Sequence, residues 1–121
     1  MTLFEKMFLT HLVGDWLLQT EWQALNKMHN YRALLSHVGT YSLVMLSVLV
    51  LEFGFQNISV YLAVVMIAVV HAFQDRRRPV IWFMKTFRLI VEREPELWLV
   101  MAVDQSFHIL MVAFASLFLS L

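Results

Sequence analysis

The chain has 121 residues, 60% of them hydrophobic, and a formal net charge of zero at pH 7. Its mean hydropathy of +0.69 is too high for an ordinary soluble domain of this size, so we expect one integral-membrane helical domain over residues 1–121. The neutral charge balance gives no reason to expect nucleic-acid binding. Because the sequence contains no cysteine, disulfides and thiolate-bound metals are excluded, and any metal must be held by imidazole and carboxylate groups.

Four apolar segments predict an all-α fold, a bundle of four transmembrane helices. They lie at about residues 3–25, 33–51, 58–73 and 97–121. The first segment is the weakest because charged side chains, among them Glu5 and Lys6, interrupt it. The third is slightly too short for the ~30 Å hydrocarbon core of a bilayer at a rise of ~1.5 Å per residue.

The connection between the third and fourth segments begins with three arginines, Arg76, Arg77 and Arg78, which are followed by Pro79. A proline in the first turn and a tryptophan among basic residues are typical of a short amphipathic helix that lies in the headgroup plane. We expect this helix over about residues 79–91. It is too short to be a fifth span.

Basic residues are concentrated in two connections, one between the first and second segments and one between the third and fourth. They are Lys27, Arg32, Arg76, Arg77, Arg78, Lys85, Arg88 and Arg93. If all four segments cross the membrane, both connections lie on the same side, which the positive-inside rule identifies as the cytoplasm. We therefore expect a multi-pass protein of the inner membrane with both termini outside. If the first segment does not cross, the N-terminus lies inside.

Histidine and aspartate recur at a spacing of four residues within the apolar segments. The pairs are His11 with Asp15, His71 with Asp75, and Asp104 with His108, and the second segment adds a single His37. Because four residues are just over one helical turn, each pair projects from one helix face and could close on a shared metal ion. Ionisable side chains are costly in such surroundings unless they are paired or functional. The remaining histidine, His29, lies in a polar loop and is expected to be exposed.

All seven of these side chains fall in the predicted cytoplasmic half of the bundle, so we expect them to converge on one buried metal site. They provide enough ligands for one or two divalent ions, with zinc as the first choice and manganese or iron as the second. The predicted ligands are His11, His37, His71, Asp75, Asp104 and His108. We assign Asp15 as the catalytic base that acts on water at the metal.

Three glutamines, Gln19, Gln74 and Gln105, neighbour predicted ligands and are expected to orient them by hydrogen bonds, although polar packing between helices explains them as well. The histidine and aspartate pairs have the same alternative explanation, in which hydrogen bonds across the bundle only hold the helices together. Gly14 and Gly39 are expected to let helices approach closely.

In chain order the motifs are HxxxDxxxQ from His11 to Gln19, then Lys27, then His37, then HxxxD from His71 to Asp75, and DQxxH from Asp104 to His108. This order resembles a family of small bacterial and phage membrane proteins of unknown function over nearly the whole chain. The HxxxD elements alone are more distantly similar to membrane-bound metal-dependent hydrolases, and that resemblance implies metal-dependent hydrolysis. The arginine run after Asp75 departs from the expected pattern, so a substrate or partner bound there would be particular to this chain.

Our main hypothesis is a metal-dependent hydrolase that acts on a lipid or another amphiphile at the cytoplasmic leaflet. Arg76, Arg77 and Arg78 would neutralise a phosphorylated head group, and residues 79–91 would cover the site. Membrane lipids are expected partners, and a homo-oligomer remains open. One alternative is a transport protein whose cluster binds a divalent cation or protons. The other is a non-catalytic membrane module held together by the cluster, whose basic connection recruits a cytoplasmic partner.

Overall fold

The computed structural model describes residues 1–87 and 95–121, and the regular elements among them are helices. In chain order these are α1 (Leu3–Leu12), a π-helical turn (Val13–Leu17), α2 (Glu21–Asn26), α3 (Tyr31–Phe53), α4 (Ile58–Asp75), α5 (Arg78–Thr86) and α6 (Leu97–Ser120). Of these, α3, α4 and α6 are long and apolar enough to cross a membrane. The all-helical prediction is therefore confirmed for the described residues, with three candidate spans where four were expected.

The first segment is not the continuous helix over residues 3–25 that its composition predicted. It ends as an α-helix at Leu12, continues as the π-helical turn, and resumes as α2. The restart has a local cause: the Thr20 side chain accepts a hydrogen bond from the backbone of Gln23, whose side chain accepts one from the Thr20 backbone. This reciprocal capping box begins a new helix, so the first segment is not one continuous helix.

Asparagines begin two of the long helices. The side chain of Asn30 accepts backbone hydrogen bonds at the start of α3, and that of Asn57 does so at the start of α4. Pro79 lies in the first turn of α5, as expected for the amphipathic helix after the arginine run. A helix is confirmed over residues 79–86 and ends before Phe87, while residues 88–91 lie outside the described residues and the position in the headgroup plane stays a prediction.

Packing divides the bundle into an apolar layer and a polar layer. Helix α3 packs against α4, α4 against α6, and α1 against both α3 and α6. The apolar core of this contact includes Met45, Leu49, Ile67 and Val112, all fully buried. Because lipid is as apolar as these side chains, their contribution comes from close packing instead of removal from water.

Gly14 and Gly39 differ in what surrounds them. A Cβ atom at Gly14 would lie 2.9 Å from Cδ2 and 3.4 Å from Cα of Tyr41, whereas a Cβ at Gly39 would meet nothing within 4 Å in the described part of the chain. The prediction of close approach is confirmed for Gly14, in the π-helical turn, and is wrong for Gly39. Gly14 therefore sets the distance between the first segment and α3.

We expect Gly14→Ala to lower the free energy of unfolding by about 1–3 kcal/mol, because the added methyl group overpacks the contact with Tyr41. Gly39→Ala is the matched control and should be neutral or stabilise α3 by up to about 1 kcal/mol, since alanine favours helix more than glycine does. Thermal and denaturant unfolding of the detergent-solubilised proteins measures both. Equal stabilities of Gly14→Ala and the wild type would contradict the close contact.

Candidate metal centre

Six of the seven predicted side chains form two adjoining groups with metal-ligand geometry. The first group consists of Asp15, His37, His71 and Asp75, and the second of Asp75, Asp104 and His108. Within each group, one potential ligand atom per residue lies within 4.8 Å of the others. The π-helical turn, α3, α4 and α6 each contribute side chains, and the four-residue spacing places both members of the α4 pair on one face. Asp75 belongs to both groups and connects them.

Five of the six distances between the ligand atoms of the first group are 3.0–3.4 Å, close to the edges of a tetrahedral site. Nε2 of His37 lies 3.0 Å from Oδ1 of Asp15, 3.1 Å from Nε2 of His71 and 3.1 Å from Oδ2 of Asp75. Nε2 of His71 lies 3.1 Å from the same Asp75 oxygen and 3.4 Å from Oδ1 of Asp15. A tetrahedral zinc ion with ligands at about 2.0–2.1 Å requires edges of about 3.3–3.4 Å. The group therefore has nearly the dimensions of such a site.

Hydrogen bonds between these side chains do not account for the convergence. One proton on each imidazole Nε2 cannot satisfy all five of these short contacts. Oδ2 of Asp75 in fact accepts no hydrogen bond among the described residues, although two histidine nitrogens lie 3.1 Å away. Buried carboxylate oxygens without donors are costly, and a cation bound among these atoms would compensate that cost, so the group could hold a metal ion.

The second group contains a histidine whose free nitrogen can be assigned. Nδ1 of His108 donates to the backbone carbonyl of Asp104 at 2.8 Å, which leaves the lone pair on Nε2. This Nε2 lies 3.6 Å from Oδ1 of Asp75. Both Nε2 of His108 and Oδ1 of Asp104 are buried acceptors without a donor among the described residues. The second group could thus also hold a metal ion.

His11, a predicted ligand, lies beside the two metal-ligand groups and belongs to neither of them. The Trp16 indole can only donate, so the Gln105 atom that it contacts at 3.1 Å must be the carbonyl oxygen. The Gln105 amide nitrogen then donates to Oδ2 of Asp15 at 3.0 Å. Nε2 of His11 is 3.1 Å from that same carbonyl oxygen and must donate to it, while its Nδ1 accepts from the Tyr41 hydroxyl at 3.1 Å. Both nitrogens of His11 are therefore occupied.

Asp15, the predicted catalytic base, and Asp104 lie in different environments. Its Oδ1 faces His37, its Oδ2 accepts from Gln105, and the residue is only 3% exposed. It nevertheless lines a cavity beside the cluster, as Asp104 does. The Asp104 side chain is 14% exposed and has the unpartnered oxygen described above. The Asp104 carboxylate is thus the more exposed of the two.

Two residues of the cluster were not among the predicted site residues. Nζ of Lys27 lies 2.9 Å from Oδ1 of Asp75 and 3.9 Å from Oδ1 of Asp15. In the sequence we interpreted Lys27 as one of the basic residues that set the membrane orientation. Its position between Gln19 and His37 in the order of the family's motifs was the indication that it also belongs to the cluster. The Tyr41 ring stacks on His71 with centroids 4.1 Å apart. Its position four residues after His37, on the same face of α3, is the local signal for this contact.

Of the three glutamines predicted to orient ligands, Gln105 contacts the cluster directly. The Gln19 side chain lines a cavity beside the cluster, and its Oε1 is buried without a partner among the described residues. Gln74 instead lines a different groove, and its Oε1 likewise has no partner in the described part of the chain. The sequence neighbour of Asp75 thus points away from the metal-ligand groups.

A cavity of about 280 Å³ borders the cluster. Its polar wall contains Asp15, Asp75, Asp104 and Lys27, and its apolar wall is formed by Trp16, Leu25, Leu97 and Met101. Several of the apolar side chains are largely exposed, including Leu25 at 63% and Leu97 at 62%. The cavity therefore combines charged groups with an apolar rim, as a site for an amphiphilic molecule would.

A model of the family described as Protein of unknown function (DUF3307) matches residues 3–121. The chain belongs to this family. No curated protein and no solved structure gave a significant match. The family match agrees with the predicted membership of a family of unknown function, whereas no comparison supports the more distant relationship to hydrolases. All the motifs from His11 to His108 lie within the matched residues.

The three arginines of this family member line one groove of about 420 Å³ together with Lys85, but their other contacts differ. Arg77 has a left-handed backbone conformation with φ 57° and lines the cavity beside the cluster. Arg76 donates to the carbonyl of Met28 at 3.0 Å, and its guanidinium lies 4.4 Å above the Tyr31 ring. Arg78, together with Arg76, lines a separate and largely apolar groove of about 800 Å³. Among the three, Arg77 is therefore the one next to the candidate metal centre.

Proposed function

We propose that this chain is a divalent-metal-dependent membrane hydrolase for a lipid or another amphiphile with an anionic group. The observation that supports this most directly is the first group of Asp15, His37, His71 and Asp75, whose four ligand atoms converge beside a cavity with charged and apolar walls. A buried, polar, convergent site next to a cavity is the usual arrangement of an active site.

The donor set favours a metal of borderline character. Two imidazole nitrogens and two carboxylate oxygens suit zinc first, with manganese or iron as alternatives, and the near-tetrahedral spacing favours zinc among them. A bound divalent ion supplies Lewis-acid activation of water and of the scissile group. We propose that one ion occupies the first group.

The side chains around the cavity are assigned the remaining roles. Asp104 would accept a proton from the attacking water, since its carboxylate reaches the cavity and has an oxygen without a donor. Arg77 would bind the anionic group of the substrate. The apolar wall with Trp16 and Leu97 would accept the apolar part, which explains why the cavity of a membrane protein has both kinds of surface.

Membrane orientation follows from the same proposal. The cavity lies at the end of the bundle where α2 connects to α3 and α4 connects to α5, and both connections contain basic residues. The positive-inside rule would place this end at the cytoplasmic leaflet of the inner membrane. Both termini would be outside if the first segment, α1 to α2, crosses the bilayer with the three longer helices. Membrane lipids would then surround the site as substrates or as solvent.

The proposal is tested on the full chain in mixed micelles that contain an acidic or a zwitterionic phospholipid, with and without Zn²⁺. Released fatty acid and released phosphate are measured by mass spectrometry. We expect zinc-dependent release from the acidic lipid. Arg77→Gln should lower kcat/KM about 10-fold or more with zinc content unchanged, because a hydrogen bond to a charged group contributes roughly 1.5–3 kcal/mol.

Arg78→Gln is the matched control for Arg77→Gln, because Arg78 belongs to the same arginine run but lines the separate groove. It should leave kcat/KM and zinc content near the wild-type values. If the folded, zinc-loaded protein releases neither product from either lipid, the hydrolase proposal for these amphiphiles is overturned.

One observation favours a non-catalytic membrane module instead. Lys27 already pairs with Asp75 at 2.9 Å, so part of the cluster is satisfied without any metal. In that case the purified protein would fold fully in the presence of chelator and contain no metal. The transport alternative receives less support, because the apolar layer of Met45, Leu49, Ile67 and Val112 lies between the cluster and the Lys6–Glu52 pair.

A further inference from the structure

The two metal-ligand groups use different oxygens of the carboxylate that they share. Oδ2 of Asp75 faces His37 and His71 in the first group, each at 3.1 Å. Oδ1 of Asp75 faces Nε2 of His108 in the second group, at 3.6 Å. A carboxylate in this position can bridge two ions, one on each oxygen. A second ion can therefore bind to the second group only if Oδ1 of Asp75 is free to coordinate it.

Lys27 occupies that oxygen. Its ammonium lies 2.9 Å from Oδ1 of Asp75, and its side chain is only 13% exposed. The backbone holds it there from both sides: the N–H of Lys27 bonds to the Gln23 carbonyl at 2.9 Å, and Arg76 binds the carbonyl of the next residue, Met28, at 3.0 Å. The lysine is thus positioned by the end of α2 and by the end of α4, and its placement is not that of a freely moving surface side chain.

The charges of the cluster also argue against a second divalent ion beside Lys27. Asp15, Asp75 and Asp104 bring three negative charges together, which one divalent ion and one ammonium group balance. A second divalent ion beside Lys27 would leave an excess of positive charge in a buried, low-dielectric site, where uncompensated charge is strongly unfavourable. Nε2 of His108 and Oδ1 of Asp104 nevertheless remain buried acceptors without donors in the described part of the chain, so the second group retains ligand atoms for a cation.

We propose that Lys27 limits the cluster to one tightly bound divalent ion by holding the Asp75 oxygen that a second ion would need. The inference rests on the proposed function, since it assumes that the first group binds a metal. It assigns Asp75, Asp104 and His108 as a second metal site whose occupancy Lys27 controls. It also leaves Asp104 free to act as a base when a single ion is bound.

The test is a Zn²⁺ titration of the full chain in detergent by calorimetry, with zinc content measured after removal of free metal. The wild type should bind one ion tightly and a second roughly 100-fold more weakly, because juxtaposed like charges are strongly disfavoured in a buried site. Lys27→Met should bind two ions tightly, whereas Lys27→Arg keeps the charge and should retain one. Lys6→Met is the matched control, since Lys6 pairs with Glu52 away from the cluster, and it should also retain one.

The outcomes separate this inference from the proposed function. A folded wild type that binds no zinc overturns both. A wild type with one tight ion and a folded Lys27→Met protein that still binds only one overturns the role of Lys27 alone, and so does a wild type that binds two ions equally tightly. If Lys27→Met does not fold, His108→Ala in the wild-type background decides. It should abolish the weak second ion and keep the first, and an unchanged second ion would refute the site assignment.

Discussion

Asp75→Asn is expected to abolish zinc binding and to lower the free energy of unfolding by about 3–5 kcal/mol, the cost of removing one partner from a buried ion pair. Asp75 is 2% exposed and connects both metal-ligand groups. Replacing its carboxylate by an amide leaves the Lys27 ammonium buried without a counter-charge at 2.9 Å. The amide also offers the metal a weaker, uncharged ligand. Both effects act in the same direction, which makes this the most damaging single exchange that we foresee.

Glu52→Gln is the appropriate control for this exchange. Glu52 pairs with Lys6 at 2.6 Å, but the two side chains are 37% and 32% exposed. An exposed pair contributes at most about 1 kcal/mol, so Glu52→Gln should change stability by no more than that. Denaturant unfolding in detergent and zinc content, measured on the same preparations, compare the two variants. An Asp75→Asn protein that unfolds at the same denaturant concentration as the wild type, or that still contains zinc, would contradict the role of Asp75 as the residue shared by both metal-ligand groups.

His71→Ala should have the second-largest effect, a loss of tight zinc binding by the first group. Nε2 of His71 lies within 3.1–3.4 Å of three other ligand atoms, and its ring packs against Tyr41. Its removal deletes one of four converging ligands and opens a cavity next to Tyr41. We expect zinc affinity to fall by more than about 100-fold, the upper range for losing a residue that only orients a ligand.

His11→Ala distinguishes two roles for His11: orienting Asp15 through Gln105, as its contacts indicate, and binding the metal directly, as predicted from the sequence. If His11 only orients Asp15 through Gln105, its removal should weaken zinc binding by about 10-fold to 100-fold and preserve the stoichiometry. His29→Ala removes an exposed histidine and should change neither property. Competition with a chelator of known affinity measures the zinc affinity of His11→Ala, His29→Ala and His71→Ala. If His11→Ala loses zinc as completely as His71→Ala, His11 is a ligand after all.

The sequence by itself was sufficient for those features that depend on local periodicity and composition. Hydropathy predicted the three long apolar helices, because a window of about 20 apolar residues identifies a candidate span without knowledge of its neighbours. The four-residue spacing predicted which histidine and aspartate share a helix face, since that follows from helical geometry alone. The break before α2 was also readable in principle, because the capping box from Thr20 to Gln23 is a local motif.

The membership of the metal groups was decided only by the tertiary structure. A histidine has two nitrogens, and which of them is free depends on partners far away in the chain. Gln105 contacts His11 across a separation of 94 residues, and Lys27 reaches Asp75 across 48. No local pattern encodes either contact.

The same holds for the arginines and glycines. Arg77 lines the cavity beside the cluster while its neighbours in sequence do not, although all three arginines share a second groove with Lys85. Gly14 is tightly packed and Gly39 is not, because Tyr41 lies against the first and nothing in the described chain lies against the second. Composition and spacing thus determined which helices form and what chemistry they contain, whereas the packing of the first segment against α3 and α6 decided which of those groups meet.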